Sequence, residues 1–134
     1  MNIIAILVLK FLLYCGVVAA ASRLLPLKTT DPRSFVLKWS ALRLGLGLLF
    51  GTPILWLYGY ANGAAYSEVQ SYALSFGTVR VVEWAILLAL VLRHYSIKPA
   101  PRHVMFVLLG VVANVGFDLI AHLAGAEDHL KFVC

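Results

Sequence analysis

Arg80 and Glu83 stand three residues apart in one apolar stretch, and Asp118 and His122 stand four apart in another. On a helix both spacings place the pair on one face, a turn from each other. Asn114 and Gly110 extend the second pair by the same step of four, and Lys10 with Tyr14 forms a similar pair in a third stretch. Ionised groups inside hydrocarbon are costly unless paired or wetted, so they mark a working site by default. The chemistry they could do divides by type. Arg80 and Lys10 could hold an anionic headgroup or a developing negative charge, with Asn114 and Tyr14 as further substrate contacts. Glu83, Asp118 and His122 could move protons, Asp118 raising the basicity of His122.

Plainer roles compete with these. Arg80 with Glu83 or Asp118 can be a buried salt bridge that fixes helix register, or the charges can find partners on another subunit. A histidine near an interface is commonly just hydrogen-bonded and wet. Asp118, His122, Glu127 and His129 could be combined into a metal site, but no compact His-x-x-x-His spacing occurs, so no metal and no cofactor is expected. His94 and His103 fall at the other end of the spans. The chain has no P-loop, no Gly-x-Ser-x-Gly, no Rossmann fingerprint and no Cys-x-x-Cys.

The elements that must position these residues are readable. Of 134 residues, 62% are hydrophobic, well above the roughly 45–50% of a soluble globule. The excess falls in four blocks, 3–21, 39–60, 76–92 and 104–123, each about long enough to cross hydrocarbon roughly 30 Å thick. The expected fold is an all-α integral membrane protein, a four-transmembrane-helix bundle filling 1–134 as one domain.

Charge sets the orientation. The net charge is +5, but the cations cluster in two short loops rather than forming a nucleic-acid surface. Arg23, Lys28, Arg33 and Lys38 lie between the first two blocks, and Arg93, Lys98 and Arg102 between the last two. By the positive-inside rule both loops are cytoplasmic, so both termini are outside. Small size and compact loops suggest a bacterial-type inner membrane. Val17–Ser22 resembles a signal-peptidase site, but no basic residue precedes the apolar run and Lys10 interrupts it, so the first block is read as a retained span. Cys15 and Cys134 sit at different depths, which makes a mutual disulfide improbable.

Local signals refine the boundaries. Asp31-Pro32 is an N-cap followed by proline at the first helical position. Ser67 and Gln70 resemble a capping box. Gly47 and Gly51 allow close helix approach, and Pro53 cannot donate to the Leu49 carbonyl, so a kink is expected there. Arg43, a turn from Trp39 near the cytoplasmic face, is expected to snorkel. With a rise of ~1.5 Å per residue, Lys10, Arg80, Glu83, Asp118 and His122 all fall in the outer half.

Three functions follow as expectations. The first is an enzyme or binding protein for a membrane lipid or other amphipathic substrate, acting through an outward-opening polar pocket. The second is a non-catalytic subunit or assembly factor of a larger membrane complex, with a protein partner. The third is a homo-oligomeric transporter.

Overall fold

The computed structural model describes residues 3–27, 31–51, 53 and 68–123, with the side chains of 51, 68–76 and 122 outside the description. Among the described residues there are four α-helices and no strands: α1 (Ile3–Ser22), α2 (Pro32–Leu46), α3 (Glu68–His94) and α4 (Val104–Leu123). Two of them, α1 and the segment Pro101–Ala121, are long and apolar enough to cross a membrane.

Helix ends follow from identifiable residues. α1 ends where Ser22 Oγ donates to the Ala19 carbonyl at 2.7 Å and Pro26 prevents continuation. At the start of α2, Asp31 accepts from the backbone N–H groups of Arg33 and Ser34 at 3.0 and 3.3 Å. The Ser34 hydroxyl donates to its other oxygen at 2.6 Å. The cap expected at Asp31-Pro32 is therefore present. Past Leu46 the helix widens into a π turn, Gly47–Gly51, which contains the Leu49 carbonyl that Pro53 cannot serve. Such turns mark an interrupted ladder in a helix. Ser67 lies outside the described residues.

α3 terminates in a Schellman motif. Ile97 N–H donates to Leu92 O at 2.8 Å and Ser96 N–H to Arg93 O at 3.3 Å. Ser96 holds φ 52°, a left-handed conformation that costs a residue with a Cβ about 1 kcal/mol or more. α4 opens through a 3-10 turn, Pro101–His103. There His103 Nδ1 accepts the Ala100 N–H at 3.1 Å, which places the proton of a neutral ring on Nε2.

Cross-helix contacts give the topology. Lys10 meets Asp118 while Tyr14 meets Asn114, so α1 runs antiparallel to α4. Arg80 meets Asp118 and Trp84 meets Phe106, so α4 runs antiparallel to α3. Arg43 meets Glu83 and Trp39 meets Tyr95, so α3 runs antiparallel to α2. The helices close an up-down-up-down ring, with α1 packed on both α2 and α4.

The packing is polarised. An apolar and aromatic core built on Val18, Leu25, Phe35, Trp39, Leu87, Val91 and Phe106 fills the end of the bundle that bears the two basic loops. Ile6 and Ala121 form a smaller cluster toward the other end. The outward faces are apolar as well: Ile4, Leu12, Leu49, Val112, Ile120 and Leu123 are each more than half exposed. Between the two cores lies a polar layer.

α3 and α4 approach closely at Gly110. A Cβ on that residue would fall inside contact distance of the Trp84 ring, so only glycine lets the indole lie flat against α4.

Candidate functional site

The polar layer begins at Lys10, whose Nζ lies 3.1 Å from Asp118 Oδ1. Asp118 Oδ2 accepts from Arg80 Nη2 at 3.3 Å. Arg80 Nη1 donates to Glu83 Oε2 at 3.2 Å, and the same oxygen accepts from Arg43 Nη2. The result is one chain of alternating sign, Lys10–Asp118–Arg80–Glu83–Arg43, that visits all four helices. Beside it the Tyr14 hydroxyl donates to Asn114 Oδ1 at 2.9 Å, and Asn114 Nδ2 donates to the Gly110 carbonyl at 2.9 Å. Every one of these side chains is 2% exposed or less.

Each partner is delivered by helical spacing. Lys10 and Tyr14, four apart on α1, face Asp118 and Asn114, four apart on α4. Arg80 and Glu83 share one face of α3, so a single guanidinium can hold the carboxylate of its own helix and that of the next. Six of the seven expected site residues are thus brought together: Lys10, Tyr14, Arg80, Glu83, Asn114 and Asp118. The seventh, His122, lies on α4 one turn beyond Asp118, and its side chain is outside the described residues, as are Glu127 and His129.

Arg43 corrects the sequence reading. Instead of snorkelling to the surface it is fully buried and ends the ion-pair chain. Its guanidinium carbon lies 5.0 Å from the Tyr14 ring centroid and 5.1 Å from that of Trp84, within range for cation–π attraction. These two rings meet edge to face at 5.9 Å. Arg43 stands near the start of the apolar block 39–60, and that hid this role, whereas in the structure it lies in the last turn of α2. The available signal was the spacing Trp39, Ser40, Arg43, since all three are buried on the inward side of α2.

No family model matches this chain, and no curated protein or solved structure matches it. The chemistry open to the site is therefore what its own side chains allow. Three cations meet two carboxylates among the described residues, so the layer is biased toward an anion. Arg43 Nε and Nη1, Trp84 Nε1 and Glu83 Oε1 have no hydrogen-bond partner among the described residues. Donors and one acceptor are thus left over on the Arg43 side of the layer. Buried polar atoms of this kind cost stability unless something satisfies them.

Proposed function

We propose that this chain is a four-span protein of a bacterial-type inner membrane, both ends outside, that binds the anionic group of a lipid or other amphipathic molecule in its interior. The observation that carries the reading is the buried chain Lys10–Asp118–Arg80–Glu83–Arg43 in a bundle whose outward faces are apolar. In water that arrangement would expose hydrocarbon and hide charge. In a bilayer it does the reverse of harm, since lipid tails meet apolar side chains and the charges meet one another. The anion approaches from the non-cytoplasmic end and is held by Arg43 and Arg80, with Tyr14 and Asn114 orienting it. Glu83 and Asp118, with His122, supply proton transfer if the bound molecule is turned over.

The test is recovery of the ligand. The full chain, purified in mild detergent, is analysed by native mass spectrometry. One anionic amphipath retained per chain, and lost in Arg43→Gln with helicity unchanged, supports the reading. Only bulk lipid in membrane proportions, equal in both proteins, removes it. Impermeant-maleimide protection of a Ser96→Cys variant that also carries Cys134→Ser, in intact cells, tests the orientation separately.

A second reading, a non-catalytic subunit of a larger complex, is favoured by four glycines. A Cβ at Gly16, Gly45, Gly77 or Gly116 would meet nothing within 4 Å among the described residues, so these positions are not used for packing between the described helices. Small residues let another membrane helix approach closely. Capture at native expression level with a stoichiometric second protein supports this reading, and a stable, monodisperse lone chain opposes it.

A further inference from the structure

A surface pocket of about 440 Å³, open on one side, lies at the end of the bundle that carries the two basic loops, and Pro26, Ser96, Lys98 and Arg102 on its rim are exposed. It is remote from the ion-pair chain and is formed by the α3–α4 connection against the turn after α1. Pro26 and Ile97 give it apolar walls, Tyr95 and Ser96 bring hydroxyl groups, and Lys98 and Arg102 bring two cations. Among the described residues no acidic side chain lines it, and neither cation has a carboxylate within ion-pair distance.

The backbone holds these groups firmly. The Schellman bonds of Ser96 and Ile97 fix the near side. Pro99 and Pro101 stiffen the segment between Lys98 and Arg102, and the 3-10 turn anchors Arg102. Ser96 occupies a left-handed position that glycine would take at less cost. Strained residues of this sort gather at ligand sites, and this one places a serine where its side chain borders the cavity.

We propose that this cavity binds a phosphoryl group. A guanidinium fork matches phosphate oxygens in pairs, an ammonium adds a second point charge, and hydroxyl groups can donate to the remaining oxygens. The volume falls in the range of roughly 300–1,000 Å³ typical of small-ligand sites, so it admits the phosphate with part of what it is attached to. Two sources share this chemistry: the headgroup of an anionic lipid at the membrane surface, and free phosphate or a soluble phosphate ester. The site does not depend on the role of the buried ion pairs.

The experiment uses the full chain in detergent free of anionic lipid, titrated with short-chain phosphatidic acid and with inorganic phosphate and followed by calorimetry. Saturable binding of one probe per chain is expected. Lys98→Gln with Arg102→Gln should weaken it roughly ten-fold or more, the scale of charge-assisted phosphate contacts. Arg23→Gln with Arg33→Gln, the same charge change at equally exposed positions that do not line the pocket, should leave it nearly unchanged. Ser96→Gly should weaken binding while raising the melting temperature. Phosphatidic acid that phosphate displaces only in large excess identifies a lipid ligand, and displacement at comparable concentration identifies a soluble one. Equal weakening in both double variants would reduce the cavity to diffuse surface charge and overturn the proposal, as would no saturable binding of either probe.

Discussion

Arg80 and Asp118 meet at 3.3 Å across the α3–α4 interface, and each also holds a second ion, Glu83 and Lys10 respectively. Arg80 is therefore the central member of the chain. Its removal leaves two neutral pairs, Lys10–Asp118 and Arg43–Glu83. Removal of either carboxylate instead leaves excess positive charge in a buried layer.

This asymmetry ranks the substitutions. Breaking a buried pair by deleting one partner costs about 3–5 kcal/mol. Glu83→Gln and Asp118→Asn should reach that range, while Arg80→Gln should cost clearly less. Thermal unfolding of the three variants in one detergent measures the order. If Arg80→Gln proves the most damaging, the pairing scheme is wrong.

Tyr14 and Asn114 offer a finer measure. Tyr14→Phe removes the donor to Asn114 Oδ1 and leaves a buried acceptor unserved, a loss of about 1–2 kcal/mol. In a double-mutant cycle with Asn114→Leu the coupling should be about 0.6 kcal/mol, the usual size within membranes. A cycle with zero coupling would mean that the bond contributes nothing to stability.

Glycine substitutions separate close packing from open surface. Gly110→Ala drives a methyl group into the Trp84 ring and should cost about 1–3 kcal/mol as the helices are forced apart. Gly116→Ala meets nothing among the described residues and should stabilise its helix by up to about 1 kcal/mol. Indole fluorescence should shift in the first variant and not in the second.

How much of this was legible in the sequence depends on the residue. The stripes Arg80/Glu83 and Asn114/Asp118 could be read because helical spacing fixes a face regardless of the fold. Lys10 and Tyr14 followed once antiparallel packing was assumed, because a step of four on one helix matches a step of four on its neighbour. Arg43 was misjudged because depth counted from the start of the apolar block at Trp39 suggested the interface, whereas the helix itself begins at Pro32. The partner that draws it inward, Glu83, belongs to another helix. The cavity beneath Ser96 was invisible for a different reason. It arises where a helix end, a turn and a proline-stiffened link converge, and no periodic pattern encodes that. Membrane crossing is legible only coarsely in the structure: among the described residues two segments, α1 and Pro101–Ala121, meet the length and hydropathy requirement.

The cap at Asp31 gives a pH dependence outside the polar layer. Hydrogen bonds from the Ser34 side chain, then from the Ser34 and Arg33 backbone, hold this carboxyl below its ordinary value of 3.8. A carboxylate depressed by folding stabilises the native state fully above the ordinary value. That contribution fades as pH falls toward and through the lower folded value. The difference in melting temperature between the wild type and Asp31→Ala should be constant near neutrality and shrink below about pH 4. A difference that grows on acidification would contradict the cap assignment.

The register between α1 and α4 has a consequence for biogenesis. The acceptor for Tyr14 lies 100 residues downstream, and Asp118 is later still. As the polypeptide leaves the ribosome, α1 carries a lysine whose Asp118 partner has yet to be synthesised. The ring cannot seal until α4 arrives, so a nascent chain arrested before Asp118 should be an unstable intermediate and a natural target for quality-control proteolysis.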